Sequence, residues 1–257
     1  MKEKPYLDFY AERGASLVSR DITEIDKFFD SREALYIALG VPPGLLKGRS
    51  VIEFGPGTGH NSLYTDRLMP RKYTLVDGGK KILEAAEQRL EHSGTKTVER
   101  KYVHSLFEEL YLDETFDLVI AEACIPNQKD PISLLKHISR FVAPGGVLIV
   151  TTVSPVSWLS EIIRRLVRSR VVSVDESPET QVNILRPLLA QHIARLKHVS
   201  RSVDDWLLDN VVQPLNVGNM FTIPEAIQAF SSDWRVLGAS PRFFNDWTWY
   251  SYEYKNL

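Results

Sequence analysis

The chain has 257 residues, 44% of them apolar and 25% charged, with a formal net charge of −2 at pH 7. That length suits one sizeable core, or a core carrying a substantial insertion, and the near-neutral charge gives no global reason to bind nucleic acid. No apolar run approaches the roughly 18 residues of a membrane-spanning helix, no secretory apolar stretch follows Met1-Lys2-Glu3-Lys4-Pro5, and the lone Cys124 rules out an internal disulfide framework or a cysteine-ligated zinc site. A cytoplasmic setting is the expectation, and no metal is expected.

Residues 1–48 read as mainly helical, with Ile22, Ile25, Phe28, Phe29, Leu35, Tyr36 and Leu39 at helical spacings up to the break at Gly40-Val41-Pro42-Pro43-Gly44. Such a segment is packing or a flap, and Tyr6, Tyr10 and Arg13 are its ligand-touching candidates. A strand follows over 50–54, then a glycine-rich turn and a helix over 60–68. Lys72–Asp77 is a short β-type run ending in an acid. Ile82, Leu83, Ala86 and Leu90 mark a helix ending near Gly94. Strands are expected at 98–103 and 116–121, with a helix between them and Ala143-Pro144-Gly145-Gly146 carrying Ile132, Leu134, Leu135, Ile138 and Phe141. The apolar and β-branched run 147–153 reads as a fully buried parallel strand. Strands alternating with helices predict a doubly wound α/β sheet.

Beyond Val153 the rhythm changes. Residues 155–230 carry helical patterns around Trp158 and Leu159, around Leu188 and Leu189, and around Trp206 and Leu207. A further helix opens at Thr222-Ile223-Pro224-Glu225, where threonine followed three residues later by glutamate is a capping-box signature. Strand-like runs return at Trp234–Ala239 and Trp247–Tyr254 and suggest a closing hairpin at the sheet edge.

The stretch Glu53-Phe54-Gly55-Pro56-Gly57-Thr58-Gly59 places an acid two positions before three alternate glycines, at a strand-to-helix turn. Asp77 follows at the end of the next strand, one βαβ unit later. Phe116-Asp117-Leu118-Val119-Ile120-Ala121-Glu122 and Pro144-Gly145-Gly146 complete four landmarks in order. These residues resemble the class I S-adenosylmethionine-dependent methyltransferase family over about residues 48–153. The resemblance implies a Rossmann-like, mostly parallel seven-stranded sheet, with 1–48 as an N-terminal helical segment, 49–257 as the methyltransferase domain and 155–230 as a helical cap between strands five and six. It implies S-adenosylmethionine as cofactor, held by Glu53, Gly55, Gly57, Gly59, Asp77, Gly78, Ser105, Leu106 and Glu122. Glu53 would oppose the cofactor's cationic groups, the glycine amides would suit its carboxylate, and Asp77 would take the ribose hydroxyls. One departure is His104-Ser105-Leu106, where the family often has an aspartate facing adenine; Ser105 or backbone amides must serve. A nicotinamide-dependent dehydrogenase is the nearest rival, but it prefers a third glycine at position 60, here histidine.

The acceptor is expected outside the carboxyl ends of strands four and five, beside Glu122–Gln128 and the insertion. Ile125-Pro126-Asn127 is not the Asn/Asp-Pro-Pro-aromatic motif that the resemblance associates with DNA and protein amide acceptors, which disfavours both. A hydroxyl acceptor benefits from a general base. His192, among Leu188, Leu189 and Leu196, is the candidate catalytic residue against a plain structural histidine; Asp205 and Asp246 are the carboxylate alternatives. Arg164, Arg165, Arg168, Arg170, Arg186, Arg195, Lys197 and Arg201 outnumber Glu161, Asp175, Glu176 and Glu179, which suits an anionic acceptor or a solvated face alike, and leaves peripheral membrane contact open. The resulting expectation is O-methylation of a small-molecule or saccharide acceptor. N-methylation, RNA methylation and a catalytically silent binding subunit stand as alternatives, with oligomeric state open.

Overall fold

The computed structural model describes Phe9 and residues 22–126, 128–173, 175–196, 202–214, 220–230 and 233–241. Its frame is a parallel five-stranded sheet in the order β3-β2-β1-β4-β5. The strands are β1 (Ser50–Phe54), β2 (Lys72–Asp77), β3 (Glu99–His104), β4 (Phe116–Ala121) and β5 (Val142–Val150). The central strands β1, β2 and β4 are buried along nearly their whole length, as expected of apolar runs covered on both faces.

Eight α-helices stand among the described residues: α1 (Ile25–Ala38), α2 (His60–Arg67), α3 (Lys80–Ser93), α4 (Pro131–Ser139), α5 (Pro155–Val171), α6 (Pro178–Ile193), α7 (Val203–Leu207) and α8 (Ile223–Gln228). A π-helical turn, Leu208–Val212, continues α7. On one face of the sheet, Tyr36 of α1, Leu63 and Tyr64 of α2 and Leu83 and Leu90 of α3 pack with Val51, Tyr73 and Leu118. On the other, Leu134, Leu135 and Ile138 of α4 and Ala226 of α8 pack with Ile52, Phe54 and Val119. Side-chain caps start several of the helices, and the one at Thr222 is the capping box expected from the sequence. Asp130 accepts from Ser133 N before Pro131, Ser177 accepts from Thr180 N before Pro178, and Thr222 and Glu225 close the reciprocal capping box of α8.

Three sequence expectations need correction. The Pro144-Gly145-Gly146 stretch is no turn ahead of the strand. The strand begins at Val142, and its pairing with β4 jumps from Phe116↔Val142 to Leu118↔Val147, so the prolyl-glycyl residues form an irregularity inside it, with Gly145 at φ +75°. It ends at Val150 rather than Val153, and only Ile149 within it is buried, because β5 is the last strand of the described order. Among the described residues the sheet has five strands rather than the expected seven. Trp234–Ala239 is no strand: it runs against the end of α1, where a Cβ on Gly238 would lie 2.6 Å from the Leu39 carbonyl carbon. Trp247–Tyr254 lies outside the described residues.

The insertion is narrower than the spacing predicts. Val153 N donates to Phe221 O at 2.7 Å, so the chain leaves the sheet and returns to it at one stem. Helices α5, α6 and α7 lie between, with a third apolar cluster of their own built from Val182, Leu185, Leu189, Trp206, Leu207 and Val211, into which Phe9 also packs. Phe221 and α8 belong to the sheet's core instead.

Candidate active site

The turn after β1 owes its path to three left-handed glycines, Gly55 at φ +70°, Gly57 at +56° and Gly59 at +79°. A Cβ on Gly55 would sit 3.0 Å from the Cys124 Cβ, and one on Gly59 would sit 3.0 Å from the Ala86 Cα of α3. Two of the glycine amides are spent internally, Gly55 N on Val76 O at 2.9 Å and Gly59 N on Pro56 O at 3.0 Å. At these two positions glycine therefore supplies shape rather than a free donor. Arg89 of α3 donates from Nε to Thr58 O at 2.8 Å, and Thr58 Oγ1 and His60 Nδ1 are 2.8 Å apart, which ties the turn to both flanking helices.

Three carboxylates gather around this turn. Glu53 is 4% exposed and accepts from Ser62 Oγ at 2.8 Å and from the Tyr73 hydroxyl. Burial pushes its carboxyl above the usual range, and these two donors oppose the shift. Asp77 accepts from Gly79 N at 2.8 Å; burial raises it to about 6 against that bond and the neighbouring His104. Glu122, just past β4, is gripped by Arg32 of α1 in a two-pronged bridge, 2.7 Å at each prong. Burial works against the Arg32 charge, and the bond to Glu122 outweighs it, so its pKa is raised. Next in the chain, Ala123 is held at φ +60° with its N–H on Thr151 Oγ1 at 2.9 Å. Such a backbone for a residue with a side chain persists only where the surroundings over-determine it, and it clusters at working sites. Cys124 turns its thiol toward Phe54 O at 3.4 Å, and burial followed by Asp77, Glu53 and Glu122 keeps it protonated.

The structure thus brings Glu53, Gly55, Gly57, Gly59, Asp77 and Glu122 to the carboxyl end of β1, β2 and β4. Gly78 lies beside them, its carbonyl 3.1 Å from His104 Nε2. Ser105 follows with its amide on Asp77 O at 3.1 Å, but its hydroxyl is turned onto Leu106 O at 2.9 Å. Leu106 caps the short 3₁₀ turn Phe107–Glu109, which brings Phe107 edge-on to Phe54. His192 is placed otherwise. It lies exposed on α6, where its Nε2 accepts from Arg164 Nε at 3.0 Å, so the lone pair a base would use is committed to a cation. Asp205 accepts from Ser202 Oγ at 2.7 Å in an N-terminal cap. Tyr6, Tyr10, Arg13, Asn127, His198 and Asp246 lie outside the described residues. Among those described, no group of three His, Cys, Asp or Glu side chains could hold a metal ion. Sequence reasoning missed Arg32, Ser62 and Tyr73. The signal for Arg32 was an arginine inside the apolar stripe Phe28, Phe29, Leu35, Tyr36, Leu39.

A sequence model of the family described as Methyltransferase domain matches residues 24–207. The chain belongs to the class I S-adenosylmethionine-dependent methyltransferases. It is 31% identical over 110 residues to the ubiquinone/menaquinone biosynthesis C-methyltransferase UbiE of Haemophilus ducreyi, covering 42% of each chain. It is 26% identical over 116 residues to the malonyl-[acyl-carrier protein] O-methyltransferase of a Paenibacillus species, covering 42% of this chain and 40% of that one. The matches thus span less than half the length of these relatives. Among solved structures, PKMT2 from Rickettsia typhi superposes with a TM-score of 0.53 at 18% identity, over 79% of this chain and 41% of that one, a likeness of fold.

The methyltransferase's turn fits S-adenosylmethionine on three counts: a tight strand-to-helix turn of left-handed glycines, a buried acid at the end of β2, and further acids that would face a cationic ligand. Bound there, the cofactor supplies an electrophilic methyl group with its own leaving group. Gly55, Gly57 and Gly59 would allow its close approach, and Asp77 would accept from the ribose hydroxyls. Glu53, Asp77 and Glu122 place three carboxyl groups at the turn, of which Glu122 is matched by Arg32.

Proposed function

We propose that this protein transfers the methyl group of S-adenosylmethionine to oxygen on a small molecule. The observation that carries the transfer reading is the convergence of Glu53, Asp77 and Glu122 on a glycine turn with three left-handed residues. The acceptor reading rests on the chain's own side chains. Glu53 is engaged by Ser62 and Tyr73, Asp77 by Gly79, Glu122 by Arg32, and the Cys124 thiol is held protonated. With His192 also committed, an oxygen that ionises without a strong protein base, such as a carboxyl or acidic hydroxyl, suits the site best. Positioning and exclusion of water then carry the protein's share.

A positively charged acceptor subsite has less support than the sequence suggested. Arg164 is spent on Glu161 and His192, Arg168 on Gln181 and Arg186 on Asp204, while Arg165 donates to Gln213 O. The outward face of α5 is apolar instead, with Val156, Leu159, Ile163 and Leu166 exposed. This helix starts five residues after β5, at the acceptor end of the sheet, and favours an acceptor with an apolar body under a cap formed by α5 to α7. Labelled S-adenosylmethionine incubated with a cell extract, then split into small-molecule, RNA and protein fractions, tests the reading. Label is expected in small molecules, released by mild base if the acceptor is a carboxyl and retained if it is an acidic hydroxyl; label confined to RNA or protein contradicts it.

A further inference from the structure

The three acids at the turn are compensated unequally. Glu53 is met by the neutral hydroxyls of Ser62 and Tyr73, and Asp77 by a neutral amide with His104 as neighbour. Glu122 alone receives a full guanidinium, from a residue ninety positions upstream. Arg32 is built in: 7% exposed, its guanidinium 5.5 Å from the Tyr36 ring centroid, its Nε buried without a partner among the described residues. The Glu122 side chain keeps 24% of its surface exposed, so the neutralised pair is not sealed from solvent. The bridge also holds the residue immediately before left-handed Ala123, whose amide is fixed from the other side by Thr151.

Resting on the methyltransferase reading of the site, we propose that Arg32 is a positioning residue that sets, through Glu122, how strongly the site prefers the cationic cofactor over its neutral demethylated product. The two ligands differ by one positive charge at sulfur. With Arg32 in place, Glu122 contributes little net field there. Without it, an uncompensated carboxylate near the turn favours the sulfonium over the thioether, because two charges several ångströms apart in a partly shielded site interact appreciably. The present balance keeps the product from being displaced too easily or the cofactor from being held too tightly.

Calorimetry with S-adenosylmethionine and S-adenosylhomocysteine gives the ratio of product Kd to cofactor Kd. That ratio should rise about three- to tenfold in Arg32→Gln, and Arg32→Lys should restore most of it. In Glu122→Gln, which leaves Arg32 positive and unpaired, the ratio should fall by a similar factor. The double variant Arg32→Gln/Glu122→Gln should return to the wild-type value. A merely structural role would weaken both ligands alike, so an unchanged ratio in the single variants overturns the inference. Glu122→Gln gives an independent reading if Arg32→Gln fails to fold. If the wild-type protein binds neither ligand, the methyltransferase reading itself fails; if it binds both and only the ratio is insensitive, the role given to Arg32 fails alone.

Discussion

Gly59 and Gly145 share a left-handed backbone and differ in what surrounds them. A Cβ at Gly59 meets the Ala86 backbone at 3.0 Å, whereas nothing lies within 4 Å of one at Gly145. Gly145→Ala should therefore cost only backbone strain, about 1–2 kcal/mol. Gly59→Ala should cost clearly more, because α3 has to shift; urea denaturation of the two variants reads the difference. Asp77 makes a prediction in pH. Its carboxyl is raised from 3.8 to about 6, so between those values the folded protein keeps a proton that the unfolded chain has lost. Stability should then fall as pH rises through this window, and Asp77→Asn should flatten that slope. Cofactor affinity runs the other way, since ribose hydroxyls need an ionised acceptor. It should weaken below about pH 6 in the wild type, from a somewhat higher pH in His104→Gln because that neighbour lowers the carboxyl, and lose that dependence in Asp77→Asn, as titration calorimetry at stepped pH would show.

At the scale of elements, a buried ion pair ties α2 to the far edge of the sheet. Asp66, fully buried near the end of α2, accepts from Arg100 of β3 at 2.7 and 3.0 Å, and the Arg100 side chain is only 8% exposed. Asp66→Ala leaves that guanidinium only the exposed Glu91 at 3.7 Å and the Thr95 carbonyl, removes the acceptor of Thr95 N as well, and should cost about 3 kcal/mol by chemical denaturation. Which elements were legible follows from what holds each one. Strands β2 and β4 were read to the residue, because a two-sided apolar environment writes itself as a continuous run. The helix starts at Ser177, Ser202 and Thr222 follow local chemistry, of which the capping box at Thr222 was readable three residues ahead. Strand β5 was misread at both ends. A Pro-Gly-Gly sequence looks the same whether it turns the chain or bulges a strand, and only pairing with β4 decides. The glycine turn and the acid ending β2 were legible because both fall in short stretches of characteristic residue types. Arg32 with Glu122, and Tyr73 with Glu53, were not, since each contact joins residues far apart in the chain. The Arg164 donor to His192 was not legible either, since apolar neighbours in sequence say nothing of it.

Across the whole molecule, two apolar clusters sandwich the sheet and a third sits within the insertion. Because Val153 and Phe221 are already hydrogen-bonded, a short linker can replace residues 155–219 without stretching the sheet. If that layer caps the acceptor, the shortened protein should keep its cofactor affinity within about threefold, lose turnover, and show an unchanged number of copies per particle in solution. Retained turnover would defeat the cap, and a changed number of copies would make the layer an interface between copies. The account as a whole stands on the glycine turn and its acids as a site for one ligand. Calorimetry of the wild-type and Asp77→Ala proteins with S-adenosylmethionine, S-adenosylhomocysteine and NAD is its most direct test. Micromolar binding of the first two, lost on substitution, is the predicted result; tight binding of NAD with no binding of either sulfur compound would contradict it.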